Sequence, residues 1–74
     1  MNKLKFNRIK SVLVEKEVSQ VKLASVIGVT PGTVSTWCRN VKQPELVTLF
    51  EIAKHLKIEA TELISSMKAA GIKI

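Results

Sequence analysis

Apolar residues recur every three or four positions along most of the chain, and strict alternation is absent. That spacing predicts helices throughout. In the first segment, residues 6–16, the side chains of Phe6, Ile9, Val12, Leu13 and Lys16 fall on one stripe, with Lys10, Ser11 and Glu15 opposite. Val14 interrupts the polar face, at a place that suits solvent exposure or a contact. Ser19 precedes the next periodic run and fits an N-cap, because its hydroxyl can accept an orphan N–H of the first turn. Leu23, Ala24 and Ile27 share a face, and Gly28 stops the run, since glycine takes positive φ at no steric cost. Thr30-Pro31 opens a third helix: Thr as N-cap, Pro at the first helical position, where its missing N–H costs nothing. This helix runs through Val34 and Trp37 to about Arg39, and Asn40 suits a left-handed terminator. Residues 41–44 read as a loop. Pro44-Glu45 opens a fourth helix with Leu46, Leu49, Ile52, Ala53 and Leu56 on its buried stripe. A fifth helix begins at 61–64, continues to Ala70 and stops at Gly71, leaving an apolar-basic tail over 72–74.

A chain of 74 residues makes one small domain with a modest core, burying about 60% of the surface it exposes when unfolded. The 46% hydrophobic and 24% charged fractions are ordinary for a globular domain, which argues against disorder. Charge changes the picture. Twelve Lys and Arg against six acidic residues give +6, with pI near 9.8, and point to a polyanionic partner, nucleic acid or an acidic membrane surface. The +6 is unevenly placed: residues 1–44 carry eight Lys and Arg against two Glu, and residues 45–74 carry four Lys against four Glu.

Composition also excludes. The lone Cys38 allows neither an internal disulfide nor a Cys-rich zinc site, and the lone His55 leaves too few ligands for a metal centre. No metal or cofactor is expected. Asp is absent and six Glu are the only acids, which starves most hydrolytic and phosphoryl-transfer chemistry, so an enzyme is not expected. No apolar stretch is long enough to span a bilayer, and no apolar core follows the basic start MNKLKFNRIK as a secretory signal would require. The expected location is the cytoplasm.

Two helices joined by Gly28-Val29-Thr30 form a helix-turn-helix candidate. Ala24 is small where the third helix must cross, Gly28 supplies the turn, and Val29 and Val34 plug the angle between the helices. With these residues in view, the segment 8–64 resembles the XRE family of phage-repressor-like, or lambda-repressor-like, helix-turn-helix domains. The matching words are RIK at 8–10, SQVKLASVIGVT at 19–30, TVSTW at 33–37, RN at 39–40, QPELVTLFEIAKHLKI at 43–58 and TELI at 61–64. The resemblance implies an all-α fold: a compact five-helix lambda-repressor-like DNA-binding domain whose helix-turn-helix is formed by helices 2 and 3. It places a basic N-terminal arm at 1–5, the helix-turn-helix domain at 6–66 and a C-terminal extension, helix end or dimer contact, at 67–74.

The resemblance also implies roles. The N-terminus of the second helix, Ser19 and Gln20, faces a phosphate, in keeping with the anion preference of helix N-termini. The third helix enters the major groove of double-stranded DNA with Thr30, Pro31, Gly32, Thr33, Ser35, Thr36 and Arg39 as exposed candidates. The following loop, Asn40, Lys42 and Gln43, meets the backbone. The implied function is a sequence-specific transcriptional regulator, a repressor acting as a homodimer on a near-palindromic operator. Such short relatives occur as phage regulators, restriction–modification controllers and antitoxins. The competing reading is an antitoxin or interaction module whose apolar C-terminal region holds a partner protein.

Three departures from the family pattern stand out. Pro31 and Gly32 occupy places where relatives often carry Gln, Arg or Lys, and neither can make a bidentate base contact. Readout then falls to Thr33, Thr36 and Arg39, so specificity leans on phosphates, DNA shape and dimer spacing. Leu13 and Cys38 stand where relatives often pair an Arg with a Glu; both charges are lost together, which strands neither, and the two residues are expected to touch. Glu17 replaces a common Gly and leaves the end of the first helix open.

Other residues carry two readings each. Trp37 suits the core better than a sugar or phosphate contact. Cys38 is a small, partly buried helix residue rather than a redox switch, having no second Cys to resolve it. His55 is a solvated residue rather than a pH sensor or ligand. Lys3, Lys5 and Lys10 make either a DNA-contacting arm or a solvated basic end. Val47, Phe50, Ile58, Ile64, Met67 and Ile72 exceed what one small core needs, and suit either scattered surface or a dimer face near helices four and five.

Overall fold

Most of the helices begin at a residue whose side chain closes a free N–H group, and most end where the backbone turns left-handed. The computed structural model describes residues 4–73. It contains α1 (Ile9–Lys16), α2 (Gln20–Ile27), α3 (Pro31–Cys38), α4 (Leu46–Leu56), a 3₁₀ turn over Ala60–Leu63 and α5 (Met67–Ala70). Ser19, Thr30 and Ser66 cap α2, α3 and α5, each oxygen accepting a backbone N–H of the first turn. Glu59 and Glu62 form a reciprocal capping box around the 3₁₀ turn. At the C-terminal ends, Gly28 (φ 89°) and Gly71 (φ 92°) are left-handed, and so are Glu17 (φ 57°) and Lys57 (φ 59°).

The inward stripes meet in one core. α1 contributes Ile9, Val12 and Leu13, and α2 contributes Leu23 and Ala24. Val34, Trp37 and Cys38 come from α3; Leu49, Ile52, Ala53 and Leu56 come from α4; Leu63 closes the end. Leu13 and Cys38 both enter this core from helices that pack on each other. Trp37 is buried and His55 exposed, as expected of a core tryptophan and a solvated histidine. No buried side-chain polar atom among the described residues lacks a hydrogen-bond partner.

Three features differ from the periodicity. The first helix starts at Ile9 rather than Phe6, and Phe6 is exposed, as is Lys16 at its far end. Residues 5–8 lie outside the helix and are tied to the C-terminal segment instead. Arg8 N–H donates to the Leu63 carbonyl at 2.8 Å, Ser65 N–H to Phe6 at 2.9 Å and Lys5 N–H to Ala70 at 3.2 Å. Asn7 and Ile64 form an isolated antiparallel bridge, with no strand among the described residues. That same pairing breaks the expected fifth helix, because Ile64 is extended where its neighbours Leu63 and Ser65 bond to Arg8 and Phe6. What remains is a 3₁₀ turn and a separate short α5. Leu46, expected in the α4 stripe, is 66% exposed, because it lies at the first turn of α4, one turn beyond the Leu49 edge of the core.

Candidate nucleic-acid interface

The α2–α3 unit is fixed by its turn. Gly28 and Val29 both donate their N–H groups to the Ala24 carbonyl, at 2.8 and 3.0 Å. The Gly28 backbone is left-handed, and Ala24 is buried where α3 crosses α2. Val29 packs against the core from the turn. α3 then has two faces. Val34, Trp37 and Cys38 point inward, whereas Pro31, Gly32 and Arg39 are exposed and Thr33, Ser35 and Thr36 half-buried.

The polar groups of the outer face are pre-arranged by local bonds. Thr30 Oγ1 accepts from Thr33 N–H at 3.2 Å, and the two threonine hydroxyls share a bond at 2.9 Å. Thr36 Oγ1 donates to the Thr33 carbonyl at 2.6 Å. Its only hydrogen is therefore committed, and Thr36 offers outward an acceptor oxygen and a methyl. Arg39 Nε donates to Ser35 Oγ at 3.3 Å, which holds the guanidinium along α3 with its terminal nitrogens free to donate. Ser35 keeps its own O–H as a donor. On α2, Ser19 Oγ accepts from Lys22 N–H at 3.0 Å, and Gln20 is half-buried at the first position.

The loop after α3 is held in an unexpected way. Asn40 is left-handed, at φ 57°, as the sequence suggests, but its side chain faces back to Asn7. Asn40 Oδ1 accepts from Asn7 N–H at 3.0 Å, and Asn40 Nδ2 donates to the Asn7 carbonyl at 3.2 Å. Asn7 Nδ2 donates to the Trp37 carbonyl at 3.0 Å and to Gln43 Oε1 at 2.7 Å, while Asn7 Oδ1 accepts from Ile9 N–H at 3.0 Å. Gln43 Nε2 completes the network on Asn40 Oδ1 at 3.1 Å. Asn40 and Gln43 thus clamp the exit of α3 to the entry of α1. Lys42 is exposed between them. Asn7 escaped the sequence reading; its only local signal is an amide two residues before the first N–H of a helix.

Lys10 lies near enough to Cys38 to act on its thiol. Burial pushes the Cys38 thiol up, and the Lys10 ammonium draws it back in part. No group of three potential metal-ligating side chains assembles among the described residues, and none of their helices is long and apolar enough to cross a membrane.

A family model described as helix-turn-helix matches residues 9–63. The chain belongs to this helix-turn-helix family. The XRE-type resemblance and the all-α fold class both hold. Among solved structures, the chain is similar to a Bacteroides fragilis protein provisionally described as DNA-binding, at 40% identity and TM-score 0.80, over 81% of this chain and 97% of that one. It is also similar to the SOS-response transcriptional repressor LexA from Eubacterium rectale, at 30% identity and TM-score 0.71, over 81% of this chain and 64% of that one. No curated protein matches the chain.

Proposed function

We propose that the chain is a transcriptional repressor that binds double-stranded DNA as a homodimer on a near-palindromic operator. α3 lies in the major groove, the start of α2 faces a phosphate, and the loop after α3 follows the backbone. The observation that carries this reading is the division of α3. One face anchors it in the core, while the other presents hydroxyls and Arg39 and no large apolar side chain. Excess positive charge confined to residues 1–44 supports it.

Thr36 as acceptor and methyl, Ser35 as donor and Arg39 as a multiple donor form the base-reading set. Pro31 and Gly32 add none, so each half-site is read thinly and phosphate contacts supply much of the affinity. Leu46, Val47 and Phe50 on α4, at 66%, 70% and 59% exposure, suit a second copy. A symmetric pair sets two α3 helices about 34–36 Å apart, one DNA turn. Leu63, Ser65 and Ala70 are hydrogen-bonded to residues 5–8, which ties this part of the chain into the domain and favours the DNA reading over a partner-clamping one.

Titration of selected and random duplex DNA across salt tests the reading. With several phosphates neutralised per protomer, affinity falls about 1,000-fold or more between 50 and 200 mM salt. Salt-independent binding, or none, defeats it.

A further inference from the structure

A concave surface of about 410 Å³ opens where the segment before α1, the first turn of α1 and the exit of α3 meet. Lys5, Arg8, Lys10 and Arg39 line it, and no acidic residue does. Four cations brought together without an acid repel one another unless an anion sits among them. The two arginines are held by hydrogen bonds. Arg8 Nη1 donates to the Glu62 carbonyl at 2.9 Å, and Arg39 is held on Ser35. The wall between them is the Asn7–Asn40 clamp, whose Asn7 side chain is buried and fully hydrogen-bonded. Arg39 belongs both to this cleft and to the outer face of α3, so the two surfaces are continuous.

We propose that this cleft seats a phosphodiester of the DNA backbone flanking the stretch that α3 reads. The inference deepens the DNA-binding reading and rests on it. It assigns Lys5 and Lys10 as ligands of one phosphate, with Arg8 and Arg39 closing the other sides. It also assigns a cause to the uneven charge: the thin base readout from Pro31 and Gly32 is offset by a backbone contact beyond the recognition helix.

The test compares two variants of equal charge change on random-sequence duplex DNA. Lys5→Gln/Lys10→Gln removes two exposed cations of the cleft. Lys54→Gln/Lys57→Gln removes two exposed cations at the end of α4, outside it. Losing one phosphate contact flattens the slope of log affinity against log salt by about 0.9 and weakens binding near 0.1 M salt about 10-fold, equally on all sequences. The Lys54/Lys57 pair keeps the wild-type slope. Trp37 fluorescence confirms that both variants fold. A wild-type slope for the Lys5/Lys10 variant, or an equal loss in the Lys54/Lys57 variant, overturns the cleft and leaves the DNA reading standing. Absence of binding by the wild-type chain overturns both.

Discussion

Asn7→Ala is the sharpest test of how the interface is held in place. The substitution deletes three side-chain hydrogen bonds at once: to the Trp37 carbonyl, to Gln43 Oε1 and from Ile9 N–H. They are not equal. Gln43 is exposed, so water replaces its lost partner at little cost. The Trp37 carbonyl still accepts from Asn40 N–H at 3.0 Å. Ile9, whose side chain is fully buried, loses the acceptor that opens α1. An orphaned N–H costs about 1–3 kcal/mol and each bond lost between satisfied groups about 1 kcal/mol, so the sum is about 3 kcal/mol. A domain of this size has about 4–11 kcal/mol in total, so the loss is large. Urea unfolding followed by the fluorescence of Trp37, the single and buried tryptophan, measures it directly. Asn7→Asp keeps the shape but aims an oxygen at two acceptors, the Trp37 carbonyl and Gln43 Oε1. The cations of the neighbouring cleft offset part of that cost, so Asn7→Ala is the cleaner variant. A cost below about 0.5 kcal/mol for Asn7→Ala refutes the clamp.

Three further outcomes follow from the same geometry. Glu17→Gly stabilises by about 1 kcal/mol in thermal melts, because Glu17 sits at φ 57° where a Cβ is strained; an unchanged melting point contradicts this. The raised Cys38 thiol lets the unfolded chain ionise first, so stability relative to Cys38→Ala falls as pH rises past the ordinary thiol value of 9.0 and levels off above the folded one. Urea midpoints that stay parallel between pH 8 and pH 11 would count against that burial. Val47→Glu/Phe50→Glu alters two exposed α4 side chains, so the monomer stays folded while cooperative binding to paired half-sites is lost; sedimentation and binding curves on one and two half-sites check both parts.

Much of the fold is legible because its signals are local. Ser19, Gly28, Thr30 and Pro31 mark ends with chemistry confined to one turn, and the α2–α3 unit follows from them. The divided face of α3 is likewise written in the spacing of Val34, Trp37 and Cys38. What periodicity misses is long-range. The fifth helix breaks because Ser65 bonds to Phe6, nearly sixty residues away, and no window of local sequence contains both. Phe6 reads as the start of a helical stripe for the same reason. Asn40 and Gln43 have the composition of backbone-contacting loop residues, yet their amides are aimed at Asn7. The charge imbalance is visible in the sequence, but its gathering into one cleft depends on how residues 5–8 cross the exit of α3.

In the proposed complex, duplex DNA meets the outer face of α3. Amide chemical-shift mapping of the labelled chain, titrated with duplex DNA, tests it most directly. The largest shifts are expected at Gln20, Thr30, residues 32–36, Arg39 and Lys42, with smaller ones at Lys5 and Lys10. Shifts confined to the exposed face of α4, with α3 unperturbed at saturating DNA, would contradict it.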